Sequence, residues 1–182
     1  MKPEKRVEVW NTFFMIAREQ AINLNKAINN EPIKRDFIPK GGILPDIEYF
    51  KLTTILMCYF AIESRINHLI MEFKEKKEIS DTILKEFLNS NTKIKWQFLP
   101  LYTKGEKISY KDNPHKAISE ICKRRNGIVH VDYGKLENNL KKISPKKTLG
   151  LFKQFVHAME NMNVLLKRIS KERKNVLKIG KI

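Results

Sequence analysis

The sequence predicts an all-α protein, an antiparallel bundle of four or five main helices. Three observations carry that prediction. Apolar residues recur at i, i+3, i+4 and i+7 over long stretches, the period of a helix with one buried face. No stretch of any length alternates apolar with polar residues, as a half-buried strand would. Glycine and proline number only seven each in 182 residues, which leaves room for long uninterrupted elements. The length suits a single domain, 1–182, with a core of useful size, and no internal repeat is visible.

The first helix is expected over residues 7–29, where Trp10, Phe13, Phe14, Ala17, Ala21, Leu24 and Ile28 share a face. Residues 31–45, with three prolines and two glycines, break it and form a loop. Asp46 starts a second, longer helix reaching about Lys77. Its middle, "ILMCYFAI", is apolar nearly all round, which predicts the central and most buried helix. The same run is far below the roughly 20 residues that a bilayer span needs. Ser80 or Asp81 caps a third helix, "DTILKEFLN". "IKWQFLPLY" is short, aromatic and interrupted by Pro100, which predicts no more than a helical turn packed on the core. "TKGEKISYKD" is a polar loop. Asn113 followed by Pro114 predicts a cap and first turn for a helix ending about Val131. A last helix is expected from near Lys147, with Phe152, Phe155, Val156, Met159, Met162, Leu166 and Ile169 as its core stripe.

Lys and Arg total 36 against 20 Asp and Glu, a net charge of +16. Such a surplus favours polyanions, nucleic acid first and an anionic membrane surface second. The joint richness in Lys, Ile and Asn tempers this, since an AT-rich genome produces the same bias. From Lys141 onward there are twelve Lys or Arg and two acids, a net of +10, so this segment, which includes the last helix and a basic end at about 170–182, holds more than half of the surplus. A solvated face with a disordered end and a phosphate-tracking surface are both compatible with that run. Cys58 and Cys122 are isolated from each other and have no zinc-finger spacing to histidine, so neither a metal site nor a cofactor is expected, and both read as buried free thiols. The first twenty residues carry charge on both sides of a very short apolar run, unlike a signal peptide. A cytoplasmic protein without a membrane partner is the expectation.

The stretch "ICKRRNGIVHVDYG" gathers Arg125, Asn126 and His130 near the end of a helix. Asn126 and His130 lie about 40° apart around a helix, but Arg125 and His130 lie about 140° apart and converge poorly. Two routes to convergence are open: a bend at Gly127, or completion of the site by a second copy across a two-fold axis. Ile118, Ile121, Cys122 and Ile128 or Val129 bury the other side, so the polar trio projects from a packed element. Histidine moves protons near neutral pH, arginine binds phosphate and stabilises charge on a pentavalent phosphorus, and asparagine orients. This set suits RNA cleavage, in which the 2'-OH is an internal nucleophile. An R-x4-H spacing alone also fits a surface Arg and a structural His. Lys123 and Arg124 are candidates to grip flanking phosphates or are plain solvated residues. Glu63 and Asn67, i and i+4 on the central helix, read as a polar seam or as support for Arg125 and His130. His68, His115 and His157 read as structural or surface residues. Trp96 and Tyr102 are candidates to stack bases, with core packing the better reading for Trp96.

"RRNGIVH" resembles the R-x4-6-H motif of the HEPN superfamily of small helical-bundle proteins, and "AISEICKRRNGIVHVDYG" has the same run of apolar helix, basic step, Arg-Asn, two apolar residues and His. "YFAIESRINHLI" is similar to the long early helix of those domains. The resemblance implies a HEPN-like bundle and a metal-independent endoribonuclease acting on RNA as a homodimer, with the two motifs meeting in one cleft. Arg125 and His130 would be the catalytic pair and Asn126 their companion. It further implies a toxin or phage-defence effector, with a possible antitoxin protein as partner. The alternative is a non-catalytic helical module that binds RNA or a partner protein through its basic surface.

Overall fold

A computed structural model describes residues 9–33, 46–130 and 133–166. Among these, every regular element is helical: α1 Val9–Ile28, α2 Asp46–Glu75, α3 Asp81–Asn89, α4 Thr92–Lys104, α5 His115–Val129, α6 Tyr133–Lys141 and α7 Pro145–Leu165. The all-α bundle is as expected. It has five helices of thirteen or more residues and two short ones of nine. No described helix is long and apolar enough to cross a membrane.

α2 is the axis of the bundle and touches all six other helices. Its buried residues, from Phe50 and Ile55 through Cys58, Ala61 and Ile62 to Ile66, Leu69 and Phe73, form a face covering more than half of its circumference. The main core is closed around it by Trp10, Phe14 and Ala21 of α1, Trp96 and Leu99 of α4, Ile118 and Ile121 of α5, and Phe152, Phe155 and Met159 of α7. Some polar groups inside this core have specific partners, while Trp10 Nε1 and Thr54 Oγ1 are buried without a hydrogen bond among the described residues. Arg65, 1 % exposed, lies over the Trp10 ring of α1 at 4.6 Å and donates to Asn163 Oδ1 of α7 at 3.0 Å, so one side chain joins three helices.

Where the elements depart from expectation, the reason is local and physical. Residues 94–102 form part of the thirteen-residue α4 rather than a single turn. Pro100 removes one internal hydrogen bond. Asn91 offsets this by accepting Ile94 N–H at the start, and Gly105, at φ 69°, closes the end in the left-handed conformation that glycine tolerates. Full burial of Trp96 and Leu99 holds the helix against the core. α5 begins at His115, with Pro114 at the cap position and no side-chain cap, so Asn113 does not have the role expected of it. α7 begins at Pro145 because Ser144 accepts Lys147 N–H, two residues before the expected start. Ile169 and the basic end from Lys167 lie outside the described residues, as do residues 34–45 of the loop.

α6 was not expected from the sequence. Leu136, Leu140 and Ile143 form a second small apolar cluster with Ile55 of α2 and Ile128 of α5. Lys51 pins this corner. It is 2 % exposed, and its ammonium donates to Leu140 O at 2.9 Å, Ile143 O at 2.9 Å and Glu48 Oε1 at 2.7 Å. Three donors meet three acceptors, and the positive charge sits at the end of α6 where free carbonyls accumulate. Lys51→Met should leave two buried carbonyls without this donor and cost about 3 kcal/mol, read as a lowered urea midpoint with faster amide exchange across α6.

His115 is buried against α4, where Trp96 Nε1–H donates to its Nδ1 at 3.3 Å. Nδ1 must therefore be unprotonated, and burial holds the imidazole below its ordinary value of 6.5. Above that value His115 is neutral in both folded and unfolded chains, and the Trp96 contact is intact. As pH falls below it, the unfolded chain takes up the proton and the folded chain does not, so stability declines down to the folded value. Urea unfolding between pH 7.5 and 5 should show a gentler acid decline for His115→Gln than for the parent; parallel curves would remove His115 from the acid response.

Candidate active site

α5 carries the Arg125–His130 segment, and its inner face sets where that segment lies. Ile118 and Ile121 pack in the main core and Ile128 in the second cluster. Arg125 is then directed along the flank of α2. Its guanidinium carbon is 4.8 Å from the centre of the Tyr59 ring, a cation–π stack on a buried aromatic. Nη1 donates to Asn126 Oδ1 at 3.2 Å and lies 3.4 Å from His130 Nε2. Asn126 and His130 are exposed and Arg125 is half-buried, so the trio forms a rim rather than a closed pocket.

The three expected residues thus meet within one chain, although regular helix geometry would hold Arg125 and His130 apart. The cause is the helix end. α5 stops at Val129, and His130, at φ −107° and ψ 28°, leaves the helical conformation while its N–H still bonds Asn126 O. Asn139 of α6 donates to Gly127 O at 3.0 Å, which satisfies one of the last-turn carbonyls and seals the end there. The helix runs through Gly127 to Val129, so termination rather than a break at Gly127 turns the imidazole. Convergence of the pair does not need a second copy of the chain.

A guanidinium has donors only, so where Nη1 meets Nε2 the imidazole accepts, and we assign the neutral ring's proton to Nδ1. Both Nη1 hydrogens are then in use. Nε is buried without an acceptor, whereas Nη2 is neither buried nor hydrogen-bonded among the described residues. Nη2 is therefore the part of Arg125 open to an incoming anion.

Behind this rim lies a polar layer shared by α2, α4 and α5. Tyr59 Oη is 3.1 Å from Thr92 Oγ1, and Thr92 donates to Glu63 Oε1 at 3.3 Å. Glu63 is thereby linked to the site through Thr92 and Tyr59. Asn67 is not: it accepts from buried Lys95 at 3.0 Å, a seam between α2 and α4. Cys122 is half-buried one turn before Arg125. Burial pushes its thiol up to about 11, opposed by Lys93, reinforced by Glu63 and opposed again by Arg125. It is a protonated thiol at neutral pH and a poor nucleophile. Tyr110 donates to Lys93 O at 2.5 Å, and Lys93 Nζ stands 5.1 Å from the Tyr110 ring.

The remaining sequence candidates separate clearly. Lys123 is exposed on α5. Arg124 is held by Glu120, Nε at 2.7 Å and Nη2 at 2.6 Å from Oε1, so its charge is already matched on its own helix. His68 pairs with Glu72, His157 with Glu160 and His115 with Trp96. Trp96 is fully buried and Tyr102 is 47 % exposed. No group of three His, Cys, Asp or Glu among the described residues is placed to hold a metal ion. Sequence reading missed Tyr59, Thr92 and Lys93. A tyrosine inside the apolar run "ILMCYFAI" was the available signal, since its hydroxyl requires a buried partner.

A Cβ built on Gly127 meets nothing within 4 Å, and the residue is helical. Gly127→Ala should therefore raise stability by about 0.5–1 kcal/mol by reducing the freedom of the unfolded chain. A higher urea midpoint at unchanged slope is the expected result, and a lower one would show that the helix end needs glycine. No protein-family model matches the chain, and no curated protein or solved structure shows significant similarity to it.

Proposed function

We propose that the chain is a metal-independent endoribonuclease of the HEPN type, acting in the cytoplasm as a toxin or defence effector. The observation that carries the reading is the approach of Arg125 Nη1 to His130 Nε2, 3.4 Å, on an exposed rim. A phosphate oxygen on Nη2 would stand beside the imidazole that must act on the neighbouring ribose. The 2'-OH displaces Arg125 Nη1 from His130 Nε2, which then takes the hydroxyl proton as that oxygen attacks phosphorus. Arg125 stabilises the extra negative charge on the phosphoryl oxygens. The P–O5' bond breaks, the departing 5'-oxygen takes up a proton, and the products are a 2',3'-cyclic phosphate and a 5'-OH. Asn126 keeps Nη1 in the plane that meets His130. The net charge of +16 supports a polyanionic substrate. A homodimer with two motifs in one cleft, and an antitoxin partner, rest on the resemblance of "RRNGIVH" to the HEPN motif; light scattering reads the dimer directly.

A gel assay of labelled RNA tests the proposal. His130→Ala should slow cleavage at least 100-fold while RNA binding persists, because an exposed imidazole contributes little to the fold. Arg125→Ala should lose cleavage and some affinity, since it contacts phosphate in both ground and transition states. Cleavage should survive EDTA and should fail when the scissile nucleotide is 2'-deoxy. If His130→Ala cleaves as fast as the parent, the assignment is wrong. A parent that binds RNA without cleaving it would instead be the non-catalytic binding module.

A further inference from the structure

We propose that Tyr59 is the positioning residue of this site: its ring is the seat that sets the plane of the Arg125 guanidinium, and Thr92 and Glu63 hold the ring in place. The inference rests on the ribonuclease reading above and assigns a role to a residue outside the motif.

Arginine is a long side chain with several rotatable bonds, and its direction must be set by contacts. Arg125 has few. Nε, one of the donors through which a carboxylate can fix a guanidinium, is buried with no acceptor. Nη1 is used on Asn126 and His130, both of them exposed. Among the described residues, the buried group that meets its guanidinium is the Tyr59 ring, 8 % exposed, at 4.8 Å. Loss of that face would leave the guanidinium to swing about the Asn126 contact, carrying Nη2 away from His130.

The ring itself is constrained from behind. Thr92 Oγ1 gives its hydrogen to Glu63, so it must accept from Tyr59 Oη. The chain of donors runs Tyr59 to Thr92 to the Glu63 carboxylate, and spans α2 and α4. A phenol that donates toward a carboxylate becomes richer in electron density, which strengthens the attraction of its face for a cation. Plain core filling explains neither feature: phenylalanine would fill the same space, and the open face of the ring is covered by a charge rather than by an apolar side chain.

The test pairs kinetics with a direct readout of the seat. Tyr59→Leu should lower kcat about tenfold or more while KM changes less than threefold, because orientation rather than charge is lost. Tyr59→Phe keeps the face and should recover at least a third of the parent rate. By NMR, the Arg125 Hδ and Nε–H protons should be shifted upfield by the ring current in the parent and in Tyr59→Phe, and should return to ordinary positions in Tyr59→Leu. A parent that cleaves RNA while Tyr59→Leu cleaves equally well overturns the positioning role and leaves the ribonuclease reading standing. Should the parent not cleave at all, the ribonuclease reading falls, and the seat stands or falls on the shift alone. Ordinary Arg125 shifts in the parent overturn it without any variant, so a Tyr59→Leu chain that fails to fold does not protect the idea.

Discussion

Everything in this bundle follows from one helix that buries more than half of its circumference. The middle of α2 is apolar around most of its circumference, so it reaches a favourable state only when other helices enclose it. All six other described helices contact it. That requirement explains the polar residues that α2 also carries. Lys51, Thr54 and Arg65 are buried with it, and the cost of burying Lys51 and Arg65 is offset by making each a fastening point to helices distant in sequence. The result is a core whose apolar contacts supply the driving force and whose few buried polar contacts specify which helix goes where.

The candidate site is a consequence of the same arrangement. α5 lies along α2 with its isoleucines inward, which brings Arg125 onto the flank of Tyr59. α6 folds back under the Lys51 corner, and from there Asn139 reaches the end of α5. The site is thus built by two events that are far apart in the chain: an aromatic face offered by α2 and a helix stop enforced by α6. One side of the arginine is held in the protein and the other is open, the disposition expected of a group that must be oriented before it meets an anion. The half-buried Cys122 and the Glu63–Thr92–Tyr59 chain sit on the protein side of that division, and Asn126, His130 and Nη2 on the open side.

Legibility in the sequence tracked the range of the interactions involved. α1, α2, α3 and the core stripe of α7 were readable because periodicity and caps are local properties. α6 was missed because its spacing of Leu136, Leu140 and Ile143 is short and its stability comes from Ile55, Ile128 and Lys51, none of them its neighbours in sequence. α4 was read too short because a proline signals a stop locally, whereas burial of Trp96 and Leu99 and caps at both ends outweigh it. Among site residues, Glu63 and Asn67 looked equivalent on their helix. Only their partners, Thr92 in one case and Lys95 in the other, separate the residue that reaches the site from the one that belongs to a seam.

By itself the sequence determined the helical class, the central place of α2, the excess of positive charge and the gathering of Arg125, Asn126 and His130 in six residues. These depend on composition and on spacing along the chain. Only the tertiary structure decided whether that gathering is a constellation. On a regular helix Arg125 and His130 point about 140° apart; they stand 3.4 Å apart because α5 ends at Val129, Asn139 seals it there, and Tyr59 lies under the guanidinium. A helix end sealed from another helix and a ring presented by a third are contacts between residues distant in sequence, and no local pattern encodes them.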